Sequence, residues 1–217
     1  DGLRGLAVLL VICSHTSNIQ WYFLPWLDLR GVGKAGVYLF FILSAYLLAL
    51  PLLYKGKDIL SRKTLLHYSL RRFLRIYPVF FLYLVLTACS TWFMHHMFGP
   101  ESKGIPFSLN TRQFFEHLLL QDCLGVTWSI AAEFKFYFVL PFLAAAFYWL
   151  NQRRFLLAVI FAGLLIITQK LLAAHWQYFN YYQSFWPYLP IFVAGILLAL
   201  LQQRIYSSTQ DKRPHPS

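Results

Sequence analysis

The chain has 217 residues, of which 59% are hydrophobic, 19% aromatic and only 12% charged. Soluble domains carry about 25% charged residues, so the composition excludes an ordinary soluble protein. It indicates an integral membrane protein, because several stretches reach the roughly 20 apolar residues that cross a bilayer. The net charge of +11 fits basic loops at a membrane surface. No nucleic-acid-binding motif accompanies it, and we expect no nucleic acid partner.

Hydropathy predicts an all-α protein, a polytopic transmembrane helical bundle with about six spans. The spans are expected at residues 5–24, 35–54, 76–98, 126–150, 155–175 and 186–202. Residues 106–122 mix Phe and Leu with charged side chains, which is typical of an interfacial amphipathic helix. Residues 1–203 are therefore predicted to form a membrane-embedded domain, and residues 204–217 a polar tail or linker.

The distribution of basic residues indicates how the predicted spans are oriented in the membrane. With the N-terminus in the cytoplasm, most of the 19 lysines and arginines fall in segments on the inner side. This distribution follows the positive-inside rule, and the inverted topology would break it. We therefore expect the N-terminus in the cytoplasm.

The first predicted span carries two ionisable residues, Arg4 and His15. Eleven residues at 3.6 per turn return to nearly the same helix face, about 16 Å further along the axis. This places Arg4 at the cytoplasmic mouth and His15 near the midplane. Ionisable groups inside a membrane are costly and usually face a cavity, a partner or a substrate path. The alternative for His15 is a neutral ring that bonds to a neighbouring helix.

The second predicted span contains GVGKAGVYLFFILSAYLL, residues 31–48. Its glycines, Gly31, Gly33 and Gly36, let a helix or a ligand come close, and helix packing is the favoured role. Ser44 offers a polar group towards the inner half of this span.

The third motif is RRFLRIYP, residues 71–78. The spacing of Arg71, Arg72 and Arg75 predicts that all three project to one side of a helix that enters the membrane. They are either a topogenic patch of snorkelling side chains or a phosphate clamp, because guanidinium forks match phosphate oxygens. The many basic residues between the second and third spans favour the clamp.

The fourth motif is TWSIAAEFKFYFVLP, residues 127–141. Glu133 shares a helix face with Ser129 at i−4 and with Tyr137 at i+4, whereas Lys135 points elsewhere. A glutamate within a membrane is expensive unless it is paired. It could orient a histidine, bind an acceptor hydroxyl or make a purely structural hydrogen bond.

Neither a disulfide framework nor a metal site is predicted. Cys13, Cys89 and Cys123 are isolated, without zinc-site spacing, and are interpreted as small packing residues. His95 and His96 are adjacent and point apart on a helix, which disfavours a shared metal ion.

Four motifs in this order and spacing resemble the integral-membrane acyltransferase 3 family: DGLRGLAVLLVICSH, GVYLFFILSAYLL, RRFLRIYP and TWSIAAEFKFYFVLPFL. The family includes bacterial O-antigen, exopolysaccharide and Nod-factor O-acetyltransferases. The resemblance implies an enzyme of the bacterial inner membrane that moves an acyl group, expected to be acetyl, from acyl-CoA to a hydroxyl. The implied acceptor is a carbohydrate or a lipid-linked or cell-surface molecule, with acyl-CoA as co-substrate and no tightly bound cofactor. The family's members have ten spans, so the six predicted here imply a truncated chain.

The resemblance also implies site residues. The family's Arg-x10-His pattern falls on Arg4 and His15, and its tryptophan-serine-glutamate element falls on Trp128, Ser129 and Glu133. The expected roles are catalysis by His15 and Glu133, donor binding by Arg4, Arg71, Arg72 and Arg75, and support by Ser44, Trp128 and Ser129. One departure is the family's Ser-Gly-Phe element, which is Ser44-Ala45-Tyr46 here.

Two other classes of function compete with this interpretation. A transporter could use His15 and Glu133 as an intramembrane proton relay, and inverted repeats would support it, but the sequence contains none. A non-catalytic sensor or scaffold would tolerate loss of His15 and would not bind CoA.

Overall fold

The computed structural model describes residues 2–22, 26–173 and 184–211, and within these ranges it contains helices but no β-strand. The predicted all-α class is therefore confirmed. Within the same ranges the α-helices are α1 (Gly2–Asn18), α2 (Gly33–Lys55), α3 (Arg62–Phe98), α4 (Thr111–Leu118), α5 (Trp128–Arg153), α6 (Phe155–Ala173) and α7 (Leu189–Asp211).

Five of the described helices are long and apolar enough to cross a membrane, and these are α2, α3, α5, α6 and α7. The first predicted span, residues 5–24, differs. Its helix α1 ends at Asn18 after 17 residues, which reach about 25 Å against a hydrocarbon core of about 30 Å. The helix stops there because the sequence turns polar, and Gln20 adopts a left-handed conformation with φ 63°.

Helix α3 begins well before the predicted span at 76–98. It has 37 residues, a length of about 55 Å, which exceeds the hydrocarbon core. Ser61 caps its start, because its side chain accepts a hydrogen bond from the Thr64 backbone N–H at 3.3 Å. Hydropathy marks only the apolar part of a helix, so the sequence signal missed the basic part that precedes it.

The chain divides into two compact units. The first comprises Asp1–Leu60, Leu140–Leu172 and Tyr188–Ser217, and the second comprises Ser61–Val139 and Ala173–Pro187. Helix α5 contributes its first half to the second unit and its second half to the first.

In the first unit, α2 packs against α1 and α7 through glycines. A Cβ atom on Gly36 would lie 2.7 Å from the Ala7 carbonyl oxygen of α1. A Cβ on Gly195 of α7 would lie 2.5 Å from the Ile42 carbonyl oxygen of α2. Such distances are too short for a real side chain, so glycine is needed where the backbones approach. The packing role predicted for Gly36 is thereby confirmed.

Aromatic rings and amide side chains add to the contact between α2 and α7. Phe41 stacks on Phe192 with ring centres 4.8 Å apart, and both side chains are fully buried. Further along, Gln203 donates a hydrogen bond from Nε2 to the Leu53 carbonyl oxygen at 2.9 Å. An interhelical bond of this kind satisfies a carbonyl where water is scarce.

In the second unit, the segment that follows α3 folds back along it. The Leu109 backbone N–H donates to Thr91 Oγ1 at 3.1 Å, and Tyr77 Oη donates to the Leu118 carbonyl oxygen at 2.9 Å. A capping box between Asn110 and Gln113 starts α4. The predicted amphipathic helix at 106–122 is therefore present, but it is confined to Thr111–Leu118.

The predicted tail at 204–217 starts within a helix. Helix α7 continues to Asp211, and residues 212–217 lie outside the described residues. Because the apolar signal fades at about residue 202, hydropathy placed the end of the helix too early. The single membrane domain at 1–203 stays a prediction.

The close approach of α1 and α2 predicts opposite effects of alanine at two helical glycines. We expect Gly36→Ala to lower the thermal unfolding temperature of the protein in detergent, because overpacking against a backbone oxygen costs about 1–3 kcal/mol. Gly163→Ala on α6 is the matched control, since nothing lies within 4 Å of its Cβ position. There we expect an unchanged or higher unfolding temperature. Equal temperatures for the wild type and Gly36→Ala would contradict the packing.

Candidate active site

A buried carboxylate lies in the first half of α5. Glu133 is 7% exposed, and its neighbours Ala131, Ala132 and Phe134 are buried apolar residues. Tyr137 donates a hydrogen bond from its hydroxyl to Glu133 Oε1. The sequence placed Tyr137 on the face of Glu133 at i+4, and this contact confirms it. The bond stabilises a charged group that would otherwise be costly at this depth.

His117 on α4 holds the segment that leads into α5. The Leu124 backbone N–H donates to His117 Nε2 at 2.7 Å, so the ring proton lies on Nδ1. Nδ1 contacts the Gln113 carbonyl oxygen at 2.8 Å, and Phe107 stacks on the buried ring. Sequence reasoning treated His117 only as a polar residue of an amphipathic helix. A bond to a backbone group seven residues later leaves no periodic signal.

The three arginines of the RRFLRIYP motif on α3 are not equivalent. Arg71 and Arg75 are exposed, whereas Arg72 is half-buried with its Nε atom buried. Residues four apart lie about 40° from each other around a helix, whereas Arg72 is turned about 100° from Arg71. The expectation that all three project to one side is therefore only partly met, since Arg72 is directed into the protein and the other two are not.

A cavity of about 230 Å³ lies between α3 and the first half of α5, within the second unit. Arg72 and Tyr137, from two separate sequence motifs, both line it. Most of the other lining side chains are apolar. The complete lining is Leu66, Tyr68, Ser69, Leu70, Arg72, Phe73, Phe134, Tyr137 and Phe138.

Tyr68 joins these groups and was not identified from the sequence. Its hydroxyl interacts electrostatically with both Arg72 and Glu133, and the oxygen is buried. The only sequence signal was its position one turn before Arg72 on the same helix. Such a signal is weak, because tyrosines are common near the ends of membrane spans.

In the first unit, the structure places Arg4 and His15 on α1. The Arg4 guanidinium lies 5.9 Å from the centre of the Phe40 ring, and within the described ranges its buried Nε has no hydrogen-bond partner. The His15 ring is exposed, beside Ser14 and Ser17, which are buried. The buried Oγ of Ser44 on α2 likewise has no hydrogen-bond partner in the described part of the chain. The roles predicted for these residues stay predictions.

Trp128 and Ser129 begin α5 and are both half-buried. They lie about one turn before Glu133 on the same helix. Their predicted supporting role also stays a prediction.

The thiol of Cys123 is shielded rather than reactive. Burial raises its pKa to about 11, although the nearby Lys135 ammonium acts in the opposite direction. The thiol therefore stays protonated at neutral pH, which is unfavourable for a nucleophile. The Lys135 ammonium interacts electrostatically with Cys123. Within the described ranges, no group of three His, Cys, Asp or Glu side chains is close enough to hold a metal ion.

A model of the acyltransferase 3 family, described as an acyltransferase domain, matches residues 1–213. The chain belongs to the acyltransferase 3 family. The resemblance seen in four sequence motifs is thus confirmed over nearly the whole chain. So is the expected enzyme class of the family, an acyltransferase that moves groups other than amino-acyl groups.

Curated proteins related to this acyltransferase 3 chain carry similar names. A peptidoglycan O-acetyltransferase of Listeria monocytogenes is 30% identical over 189 residues, which cover 82% of this chain and 28% of the relative. A candidate peptidoglycan O-acetyltransferase of Bacillus subtilis is 31% identical, and the match covers 74% of this chain and 26% of the relative. A candidate O-acetyltransferase of Staphylococcus aureus is 28% identical, and the match covers 79% of this chain and 28% of the relative. The chain thus spans little more than a quarter of these relatives. No solved structure matches it.

Proposed function

We propose that this acyltransferase 3 domain is a membrane-bound O-acetyltransferase that uses acyl-CoA as the donor and a carbohydrate hydroxyl as the acceptor. The observation that carries the proposal is the cavity of the second unit. Arg72 and Tyr137 line it, and Tyr137 holds Glu133, so groups from two separate family motifs converge there. An arginine, tyrosine hydroxyl groups and an apolar wall are suitable for holding a small acyl group.

The acceptor is proposed from the relatives. Two of them are named as acting on peptidoglycan, a glycan whose sugars carry free hydroxyl groups. We infer that a cell-wall carbohydrate, or a lipid-linked precursor of one, is the acceptor. We infer that the N-terminus lies in the cytoplasm, because the basic residues then fall mostly on the inner side. We also infer that the protein lies in the inner membrane of a bacterium, as the family resemblance implies.

In this proposal, the arginines of the RRFLRIYP motif contact different parts of the donor. Arg71 and Arg75 are exposed on the part of the helix that precedes its apolar segment. They are free to bind the phosphates of CoA, which guanidinium groups contact as bidentate donors. Arg72 is directed into the cavity and holds the part of the donor nearest the reacting bond. Arg4 guides the thioester into the membrane domain.

His15 and Glu133 have the catalytic roles. His15 takes the proton of the acceptor hydroxyl as a general base, or it carries the acetyl group as a transient acyl-imidazole. In either route the carbon–sulfur bond of the thioester breaks and a carbon–oxygen bond to the acceptor forms. The acceptor's proton ends on the departing thiolate. Glu133 orients the acceptor.

Donor binding is the first test of the proposal. We expect the purified protein in detergent to bind acetyl-CoA, and Arg72→Ala/Arg75→Ala to bind it at least tenfold more weakly, because charge-assisted phosphate contacts are lost. Isothermal titration calorimetry measures both dissociation constants.

Arg153→Ala/Arg154→Ala is the matched control, since it removes the same charge from two exposed arginines and should bind acetyl-CoA as the wild type does. Folded wild-type protein that does not bind acetyl-CoA would contradict acyl-CoA as the donor. Equal weakening in both double variants would show that the effect is one of net charge.

The catalytic role of His15 makes a separate prediction. We expect His15→Ala to reach the membrane and to bind acetyl-CoA normally, but to lose acetyl transfer by about 100-fold or more, as for removal of a general base. The measurement is radiolabelled acetyl transfer from acetyl-CoA to isolated cell wall. His95→Ala, at an exposed histidine, should transfer normally. Transfer by His15→Ala at the wild-type rate would refute the assignment.

A further inference from the structure

Tyr68 lines the cavity of the second unit and carries a hydroxyl that the proposed roles leave unused. Its oxygen is buried and has no hydrogen-bond partner among the described residues. A buried hydroxyl without a partner loses its hydrogen bonds to water and gains nothing in return. Since native proteins rarely keep such groups without a reason, the hydroxyl is poised to bind a ligand that enters the cavity.

Charged groups lie near the Tyr68 hydroxyl, because Arg72 and Glu133 both interact electrostatically with it. Tyr137, which bonds to Glu133, lines the same cavity. Donors fixed in a site with little water bind a developing negative charge more strongly than water does, because they need no reorganisation.

The lining of the cavity indicates which part of a substrate it accepts. Leu66, Leu70, Phe73, Phe134 and Phe138 give it a largely apolar wall. A sugar ring would leave several hydroxyl groups there without partners, at a high cost. An acetyl group has one apolar methyl and one carbonyl oxygen, so a single donor hydroxyl satisfies its only polar atom.

We propose that Tyr68 is a further catalytic residue, whose hydroxyl donates a hydrogen bond to the carbonyl oxygen of the acyl group undergoing transfer. This inference rests on the proposed acetyl-transferase function. The carbonyl oxygen gains negative charge as the acceptor oxygen attacks, and it loses that charge when the carbon–sulfur bond breaks. The Tyr68 hydrogen bond is therefore stronger in the transition state than in the bound donor, and it raises kcat more than it lowers KM.

The test is Tyr68→Phe, which removes only the hydroxyl. Tyr83→Phe is the matched control, because Tyr83 lies on the same helix with a buried hydroxyl oxygen but outside the cavity lining. We expect Tyr68→Phe to lower kcat for acetyl transfer by about 100-fold or more, with acetyl-CoA binding within a few-fold of the wild type. Tyr83→Phe should leave both unchanged. Thermal unfolding in detergent establishes that each variant is folded.

A spectroscopic measurement separates a direct contact from a structural role. The carbonyl stretch of acetyl-CoA labelled with carbon-13 in the acetyl group is measured by difference infrared spectroscopy on the bound complex. We expect a lower frequency in the wild type and in Tyr83→Phe than in Tyr68→Phe, because a hydrogen bond weakens the carbonyl bond. An unchanged band in Tyr68→Phe would overturn the proposal, and so would a normal kcat.

These outcomes distinguish the two levels of inference. If the wild type neither binds acetyl-CoA nor transfers acetyl, the proposed function itself is wrong. If the wild type is active and Tyr68→Phe is equally active, only the role of Tyr68 is wrong.

Discussion

The hydrogen bond from Tyr137 to Glu133 is the interaction on which the candidate site depends. A carboxylate within an apolar helix is tolerated only where donors or cations hold it, and here the donor lies one turn away on the same helix. Because the bond is local, α5 itself helps to fix the position of Glu133. The structure then adds Arg72 and Tyr68 from α3 to the same environment. The polar groups are thus brought together at a largely apolar cavity, where a lower dielectric strengthens their effect on a bound acyl group.

Two kinds of contact hold the described helices and their connections together. In the first, backbones approach at Gly36 and Gly195, where any side chain would collide with a carbonyl oxygen. In the second, polar side chains tie the connecting segment to helices, as His117 does for Leu124. Close backbone packing suits helices that cross the membrane, because lipid offers no hydrophobic drive for their association. The polar ties fix the loop that leads into α5, and hence the helix that carries Glu133.

The sequence predicted local features well and non-local ones poorly. The helix pattern, the i+4 pair of Glu133 and Tyr137, and the packing glycine Gly36 follow from periodicity and residue size. The inward turn of Arg72 was missed, although helix geometry already separates it from its neighbours. The bond between His117 and Leu124, and the position of Tyr68 beside Glu133, need the folded chain. They depend on how α3 and α4 lie against the start of α5, and residue spacing along the sequence does not predict such packing.

The central claim is that the buried carboxylate of α5 belongs to an acetyl-transfer site. The most direct measurement compares acetyl transfer from acetyl-CoA to cell wall by Glu133→Gln and by Glu116→Gln. Glutamine at residue 133 keeps an acceptor for Tyr137 and removes only the charge. Glu116 pairs with Arg112 on α4, away from the cavity lining. The account predicts that Glu133→Gln folds but loses transfer by about 100-fold or more, whereas Glu116→Gln transfers normally. A folded Glu133→Gln protein with the wild-type rate would contradict it.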